Sequence, residues 1–263
     1  METDPRRWIG ALRLSHHALQ AYVATLKPEQ LEGASYCQDW DVSQVLSHLG
    51  SGAEIGLTGL ERALAGSAPM DRAEFPVIWE RWNSLDPTER AAQLVVWDRR
   101  HVSVLEGLDD KTLSSLRVHM IGMDLDVATA VGFRLGEHAV HSWDVIVRFD
   151  PAAEILGSSA ELLVDRVPFL ASRLAKAAGA AGPRQIEVRT VHPERRFLLS
   201  IGDQVNMTEA GEDAATAHGT LALPAAALIR LAYGRLDPGH TPRDVKTDGE
   251  ADLDELRRVF PGF

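Results

Sequence analysis

The stretch Gly136-Glu137-His138-Ala139-Val140-His141-Ser142-Trp143-Asp144 places four side chains that can bind a metal or carry a proton within a few residues of one another. It lies in a longer run, residues 127–147, that is compatible with a single α-helix. On such a helix Glu137 and His141 are four positions apart and project from one face, with Asp144 one turn further along. Polar groups directed inward from a long helix are typical of helical bundles that hold their site in the core.

Three earlier segments show the same helical spacing of apolar residues. The first runs from Trp8 to about Leu26, and the second starts at Asp41, an N-cap type of residue, and continues towards Leu64. The third begins after residues 85–87 and ends at Gly107. With the helix at 127–147, they predict an antiparallel four-helix bundle over residues 1–150. Four glycines weaken the second helix and indicate close packing, room for a ligand, or a bend: Gly50, Gly52, Gly56 and Gly59.

Residues 151–263 predict a second, smaller domain of α+β type. A connecting helix at about 158–178 is followed by the glycine-rich segment 179–183, which indicates a hinge between the domains. The remaining elements are strands at 185–189 and 196–201, short strands within 204–208 and 216–221, and helices at 224–233 and 253–259. The predicted fold class is therefore a four-helix bundle followed by a small α+β domain.

Composition narrows the possible functions. The chain has 263 residues, of which 45% are hydrophobic and 25% charged, as in an ordinary globular protein. Its 27 Lys and Arg against 38 Asp and Glu give a net charge of -11, which argues against nucleic-acid binding. The single cysteine, Cys37, excludes an internal disulfide framework. We find neither an apolar signal core nor a membrane-spanning stretch, and expect a cytoplasmic protein.

A metal site is the chemical hypothesis that the histidines support. His48, on the second predicted helix, is a natural third ligand for a pair taken from the 137–144 cluster. Spacing leaves that pair open, because either Glu137 or His138 could act with His141, and Asp144 could bind the metal or orient a ligand histidine. Three protein ligands leave one position free, which distinguishes catalytic from structural zinc.

Other chemistries lack their usual parts. The sequence contains neither a phosphate-binding glycine loop nor a Gly-x-Ser-x-Gly elbow. Cys37 has no basic neighbour in sequence and is interpreted as an inert, buried thiol, and Glu54 is expected to face away from His48. The remaining residues of interest are interpreted as bystanders or as packing side chains: His16, His17, His101 and His119 as bystanders, and Trp79, Trp82, Trp97 and Trp143 as packing.

Two segments resemble a known family. Trp40-Asp41-Val42-Ser43-Gln44-Val45-Leu46-Ser47-His48-Leu49 resembles the helix-two signature of the DinB-like superfamily, and residues 137–144 resemble the helix-four signature of its mycothiol-dependent maleylpyruvate isomerase branch. Residues 224–235, Gly249-Glu250 and the closing Phe260-Pro261-Gly262-Phe263 resemble the C-terminal domain of that branch.

The resemblance implies a zinc ion held by His48, Glu137 and His141, with His138 outside the ligand set. It also implies mycothiol, a low-molecular-weight thiol of actinobacteria, as cosubstrate. Because a metal deprotonates a thiol that it binds, such a site would prepare a zinc-bound thiolate for attack on an electrophilic small molecule. We expect a thiol S-transferase, with cis-trans isomerisation of maleylpyruvate as the alternative.

A dicarboxylate substrate would need cationic partners, for which Arg230 and Arg235 are candidates, while Asp144 is a candidate for assisting catalysis. A hydrolase that uses zinc-bound water, and a non-catalytic member that binds a small molecule or a protein, are further alternatives. Neither the electrophile nor the oligomeric state follows from the sequence.

Overall fold

The structure is a computed structural model that describes residues 3–120, 122–211, 214 and 216–262. It divides into two compact units, one extending to Ala153 and the other beginning at Glu154. The first unit is mainly helical and the second combines a sheet with helices, which confirms the predicted fold class. No helix within the described residues is long and apolar enough to cross a membrane.

The N-terminal unit contains seven helices and one hairpin among its described residues. In chain order they are α1 Pro5–Val23, α2 Pro28–Leu31, α3 Val42–Leu64, α4 Glu74–Ser84, α5 Pro87–Glu106, α6 Asp110–Ser115, β1 Arg117–Met120, β2 Met123–Asp126 and α7 Val127–Ile146. The four long helices form the predicted bundle, because α1 packs against α5 and α7, and α3 packs against the same two helices.

Aspartate side chains cap the N-termini of these helices. Asp41 accepts a hydrogen bond from the backbone N–H of Gln44, whose side chain accepts one in return from the Asp41 backbone. Asp86 and Glu89 make the same reciprocal pair at the start of α5. Each pair satisfies N–H groups that the helix itself leaves unpaired, which explains why α3 and α5 begin where the sequence places them.

Glycines of α3 leave space for large side chains from neighbouring helices, and α3 continues through them unbroken. A Cβ atom at Gly50 would overlap the indole of Trp82 from α4. At Gly52 it would lie 2.9 Å from the guanidinium of Arg134. At Gly56 the corresponding atom would lie 2.8 Å from the His101 ring. Close packing is therefore the correct explanation at these three positions, whereas Gly59 has open space.

Several short elements of this unit are absent from the sequence prediction. The helix α4 buries only Trp82, while Val77 and Trp79 on the same helix are exposed, so its apolar pattern is weak. Trp79 is 45% exposed and packs only against Phe75, at 6.0 Å between ring centroids, among the ring contacts of the described residues, whereas Trp82 and Trp143 are buried as expected. The helix α6 and the hairpin β1–β2 occupy the connection between α5 and α7.

The C-terminal unit contains a five-stranded sheet and four short α-helices in its described part. They are α8 Gly157–Leu163, α9 Val167–Leu174, β3 Arg184–Val191, β4 Arg195–Ile201, β5 Val205–Glu209, β6 Gly219–Pro224, α10 Ala225–Ala232, β7 Lys246–Gly249 and α11 Leu253–Val259. The strand order is β5-β4-β3-β6-β7, with β3 and β6 parallel and the other pairs antiparallel.

Three expectations for this unit differ from the structure. The segment 179–183, predicted as a hinge between the domains, lies within the C-terminal unit, which begins at Glu154. The single helix predicted at 158–178 is divided, because a 3-10 turn at 164–166 separates α8 from α9, and α9 ends at Leu174. Pro168 lies in the first turn of α9, where its missing N–H costs no hydrogen bond. The fourth strand, predicted within 216–221, begins at Gly219 and extends to Pro224, and β7 has no counterpart in the prediction because all four of its residues are exposed.

Candidate metal centre

Three side chains from two helices converge at one place in the helical unit. His48 is on α3, and Glu137 and His141 are on α7. His48 Nε2 lies 3.2 Å from Glu137 Oε2, and His141 Nε2 lies 3.7 Å from the same oxygen. A ligand atom from each of the three residues lies within 4.8 Å of the other two. The helical spacing of Glu137 and His141, combined with the packing of α3 on α7, produces this group.

Asp144 contacts the His141 ring at the nitrogen that faces away from Glu137. Its Oδ2 lies 2.8 Å from His141 Nδ1, and the carboxylate is completely buried. Because this contact engages Nδ1, Nε2 is the nitrogen that faces Glu137. A carboxylate on the far nitrogen of a metal-binding histidine sets its tautomer and ring orientation. The structure thus places Asp144 against Nδ1 of His141, which is the geometry that one of the two roles considered from the sequence requires.

The environment of Cys37 differs from the one expected. Its thiol donates a hydrogen bond to Asp144 Oδ2 at 3.0 Å, and its Sγ lies 3.7 Å from His141 Nδ1. The residue is half-buried rather than buried. Cys37 has no basic neighbour in sequence, but His141, which is distant in sequence, is adjacent to it in space.

Trp40 lies against both histidines of the group. Its ring centroid is 5.4 Å from that of His48 and 6.4 Å from that of His141, and 37% of the residue is exposed. An indole in this position shields one side of the group from water. In the sequence Trp40 is recognisable only as part of the helix-two signature, one residue before Asp41, the N-cap of α3.

The charges around Glu137 favour its ionised form. Burial is the largest influence and raises the pKa of the carboxyl, but the hydrogen bond to His48 and the charges of His141, His48 and Arg134 outweigh it and lower the pKa of Glu137. The side chain remains 39% exposed, and that of His48 37% exposed. The group therefore combines a carboxylate with two imidazoles and can be reached from solvent.

His138 points away from this group into a second polar cluster. His138 Nε2 lies 3.1 Å from Asp98 Oδ2, and His138 Nδ1 lies 2.7 Å from Ser15 Oγ. His16 and Arg134 also contact Asp98. Burial lowers the pKa of His138 and, by more, that of His16, and the Asp98 carboxylate only partly opposes this effect. His16 is thus no ligand of the first group, but it belongs to the second.

The other candidate residues lie elsewhere. Glu54 faces away from His48, as expected, and accepts hydrogen bonds from Trp82 Nε1 at 2.8 Å and from Arg81. Arg230 and Arg235 belong to the C-terminal unit, where both are buried. Arg230 donates to the His240 carbonyl and Arg235 to the Tyr233 carbonyl.

The donor set matches a divalent metal such as zinc. Imidazole nitrogens and a carboxylate oxygen are ligands that zinc accepts, and three protein ligands leave a position open to a substrate. The buried carboxylate behind His141 is the kind of outer contact that metal-binding histidines have. On the chemistry of its donors, the group of His48, Glu137 and His141 fits the ion.

Comparison with known proteins found a family match and similar crystal structures. The sequence profile described as "Mycothiol maleylpyruvate isomerase N-terminal domain" matches residues 12–146. The crystal structure of the mycothiol-dependent maleylpyruvate isomerase is similar, with a TM-score of 0.67 and 14% sequence identity over 95% of this chain and 96% of that one. A histidine-to-alanine mutant of that isomerase is similar at 0.66, with the same identity and coverage. No curated protein sequence matches significantly.

Proposed function

This chain belongs to the family of the mycothiol maleylpyruvate isomerase N-terminal domain, and we propose that it is a metal-dependent enzyme that transfers a low-molecular-weight thiol, mycothiol, to an electrophilic small molecule. The observation that carries the proposal is the convergence of His48, Glu137 and His141, whose ligand atoms lie within 4.8 Å of one another. Two of these side chains are more than one-third exposed, so small molecules can reach the group.

The residues of the chain prepare this site. His48 and His141 would hold the metal through Nε2, and Glu137 would bind it through a carboxylate oxygen. Zinc, when bound there, lowers the pKa of a coordinating thiol, which in free solution is about 8.5. Asp144 keeps the His141 ring turned towards Glu137, and Trp40 covers one side of both histidines.

The proposed reaction joins the thiol sulfur to an electrophilic carbon. The thiol loses its proton to solvent, the sulfur lone pair forms the new C–S bond, and a leaving group departs with the electron pair of the bond that breaks. With an alkene conjugated to a carbonyl, no group leaves, and the proton is taken up by the carbon next to the carbonyl. Both routes are redox-neutral and need no further reactant.

Isomerisation is the second candidate function. The similarity to maleylpyruvate isomerase extends over 95% of this chain and therefore includes the C-terminal unit. In that reaction the thiolate adds to a cis alkene, the resulting single bond rotates, and elimination of the thiolate restores a trans alkene. Arg230 and Arg235 stay candidates for recognition of the carboxylates of such a substrate.

Metal analysis followed by thiol assays tests the proposal. We expect about one equivalent of zinc at this group, lost in His48→Ala, Glu137→Gln and His141→Ala, while circular dichroism shows an intact fold. His119→Ala is the control, because His119 is exposed on the hairpin and pairs with Asp124. With mycothiol and monochlorobimane, the wild type forms the S-conjugate and the three ligand variants do not.

Maleylpyruvate distinguishes the two thiol reactions. Formation of the trans isomer without net loss of thiol would establish isomerisation, whereas a stable thioether would establish transfer. Turnover of an ester or amide without any thiol would instead indicate a hydrolase. A protein that keeps its fold, binds no zinc at neutral pH and reacts with none of these compounds would overturn the proposal in favour of a binding protein.

A further inference from the structure

We propose that the helical bundle contains a second binding site for a divalent transition metal, formed by His16 of α1, Asp98 of α5 and His138 of α7. His16 Nε2 lies 3.4 Å from Asp98 Oδ1, and His138 Nε2 lies 3.1 Å from Asp98 Oδ2. A ligand atom from each of the three residues lies within 4.8 Å of the other two. The site is distinct from the first group, with which it shares no residue.

The unsatisfied ring of His16 is the observation that points to a ligand. The residue is only 5% exposed, and neither Nδ1 nor Nε2 has a hydrogen-bond partner within the described part of the chain. Its ring centroid lies 4.3 Å from that of His138 at an interplanar angle of 49°, so the two rings meet beside the Asp98 carboxylate. Buried polar atoms in proteins are nearly always paired, and a metal ion on Nε2 would give one of the two ring nitrogens a partner.

The spacing of the donor atoms suits such an ion. Zinc binds nitrogen and oxygen ligands at about 2.0–2.2 Å, so two ligands in a tetrahedral arrangement are separated by roughly 3.3–3.6 Å. His16 Nε2 lies 3.4 Å from Asp98 Oδ1, within that range, and His138 Nε2 lies 3.1 Å from Oδ2, the other oxygen of the same carboxylate. Ser15 Oγ, at 2.7 Å from His138 Nδ1, engages the far nitrogen of the ring, as outer contacts of metal-binding histidines do.

A cleft between α1 and α5 gives access to this cluster. Its volume is about 220 Å³, and His16 and Asp98 are among the residues that line it. Arg13 and Glu106 also line the cleft and form an ion pair with half-exposed side chains. A hydrated ion can therefore approach from the face of the bundle formed by α1 and α5.

Arg134 is expected to lower the metal affinity of the proposed site. Its guanidinium lies 2.8 Å from Asp98 Oδ1 and donates to the Leu49 carbonyl at 2.8 Å. This positive charge opposes a second cation, so we assign the second site a lower affinity than the first. All three ligands are less than one-tenth exposed, which leaves little room for a substrate. The ion would join α1, α5 and α7 and stabilise the bundle.

The test uses a protein in which the first group is disabled. We expect the wild type to bind two equivalents of Co²⁺ or Zn²⁺, His48→Ala one, and the double variant His48→Ala/His16→Phe none. Phenylalanine fills the space of the imidazole and needs no hydrogen bond, so the fold should persist. His48→Ala/His17→Ala is the matched control, since His17 is exposed and lines the same cleft outside the three-residue cluster.

Two readouts report on the second site directly. In His48→Ala, Co²⁺ should produce a visible d–d absorption band, and Zn²⁺ should raise the melting temperature; both effects should disappear with His16→Phe and persist with His17→Ala. If the His16→Phe chain fails to fold, His16→Leu repeats the measurement. The proposal is overturned if His48→Ala binds no metal, or if its bound metal is unaffected by replacing His16. Neither result bears on the thiol reaction, which depends on the first group.

Discussion

A hydrogen bond of 2.8 Å joins Asp144 Oδ2 and His141 Nδ1, and this contact leaves Nε2 of His141 to face Glu137. The two residues lie three positions apart on α7, so the helix alone brings the carboxylate under the ring. Asp144 Oδ2 also accepts the Cys37 thiol at 3.0 Å, which ties the segment before α3 to the same carboxylate. One buried aspartate therefore orients a proposed metal ligand and anchors a neighbouring loop.

Asp144→Asn should weaken metal binding while the fold is retained. The amide can still contact His141, but it supplies no negative charge and can present an N–H to the ring instead of an oxygen. Loss of such outer contacts costs roughly 10- to 100-fold in metal affinity or activity. Zinc titration of the metal-free protein, with circular dichroism as the fold control, measures this. Unchanged zinc affinity would show that Asp144 does not act through His141.

Cys37→Ser should retain most of the activity because the hydroxyl can donate to Asp144 as the thiol does. Cys37→Ala removes that donor and should lower the free energy of unfolding by about 1 kcal/mol, without abolishing turnover. Thiol assays and denaturant unfolding of both variants separate the two effects. A complete loss of activity in Cys37→Ser, with zinc still bound, would instead give Cys37 a chemical role beside His141.

Sequence spacing alone does not decide whether Glu137 or His138 faces His48. Both are within one turn of His141, and adjacent positions on a helix differ by about 100° in direction, so either could have faced His48. What decides the matter is Asp98, on a different helix, which His138 contacts at 3.1 Å. The spacing of residues along the sequence does not predict a contact between Asp98 and His138. The proximity of Cys37 to His141 is equally invisible, since 104 positions separate them.

The long helices were predictable for a local reason and the short elements were not. The helices α3 and α5 have an aspartate N-cap and a run of apolar residues long enough to display helical periodicity. In contrast, α4 buries a single residue, and β7 buries none, so neither has an apolar pattern. The division between α8 and α9 depends on a 3-10 turn of three residues, which is below the resolution of a periodicity argument.

Acidification should destabilise the protein through His101. Burial, aided by the charge of Arg134 and opposed by Asp98, lowers the pKa of His101 to about 3. The unfolded chain has a histidine pKa of about 6.5, so between these values the unfolded state binds the extra proton. The contribution of His101 to stability is therefore complete above about pH 6.5 and is lost as the pH falls towards 3, at up to about 1.4 kcal/mol per pH unit.

Replacing the imidazole isolates this contribution. In metal-free protein, His101→Gln should show a smaller difference in unfolding free energy between pH 7 and pH 4 than the wild type does. His17→Gln provides the comparison, because His17 is exposed, and its curve should follow that of the wild type. If His101→Gln has the same pH dependence as the wild type, the other buried histidines and the carboxylates account for the acid sensitivity.

The glycines of α3 provide a stability test within one helix. Gly50→Ala would place a methyl group against the Trp82 indole, which is itself 1% exposed and cannot move aside, so we expect a loss of roughly 1–3 kcal/mol. Gly59→Ala meets nothing within 4 Å and should instead stabilise the helix by about 0.5–1 kcal/mol. Urea unfolding of the two variants compares them directly. Equal effects at the two positions would mean that α4 does not pack on α3 through Trp82 in solution.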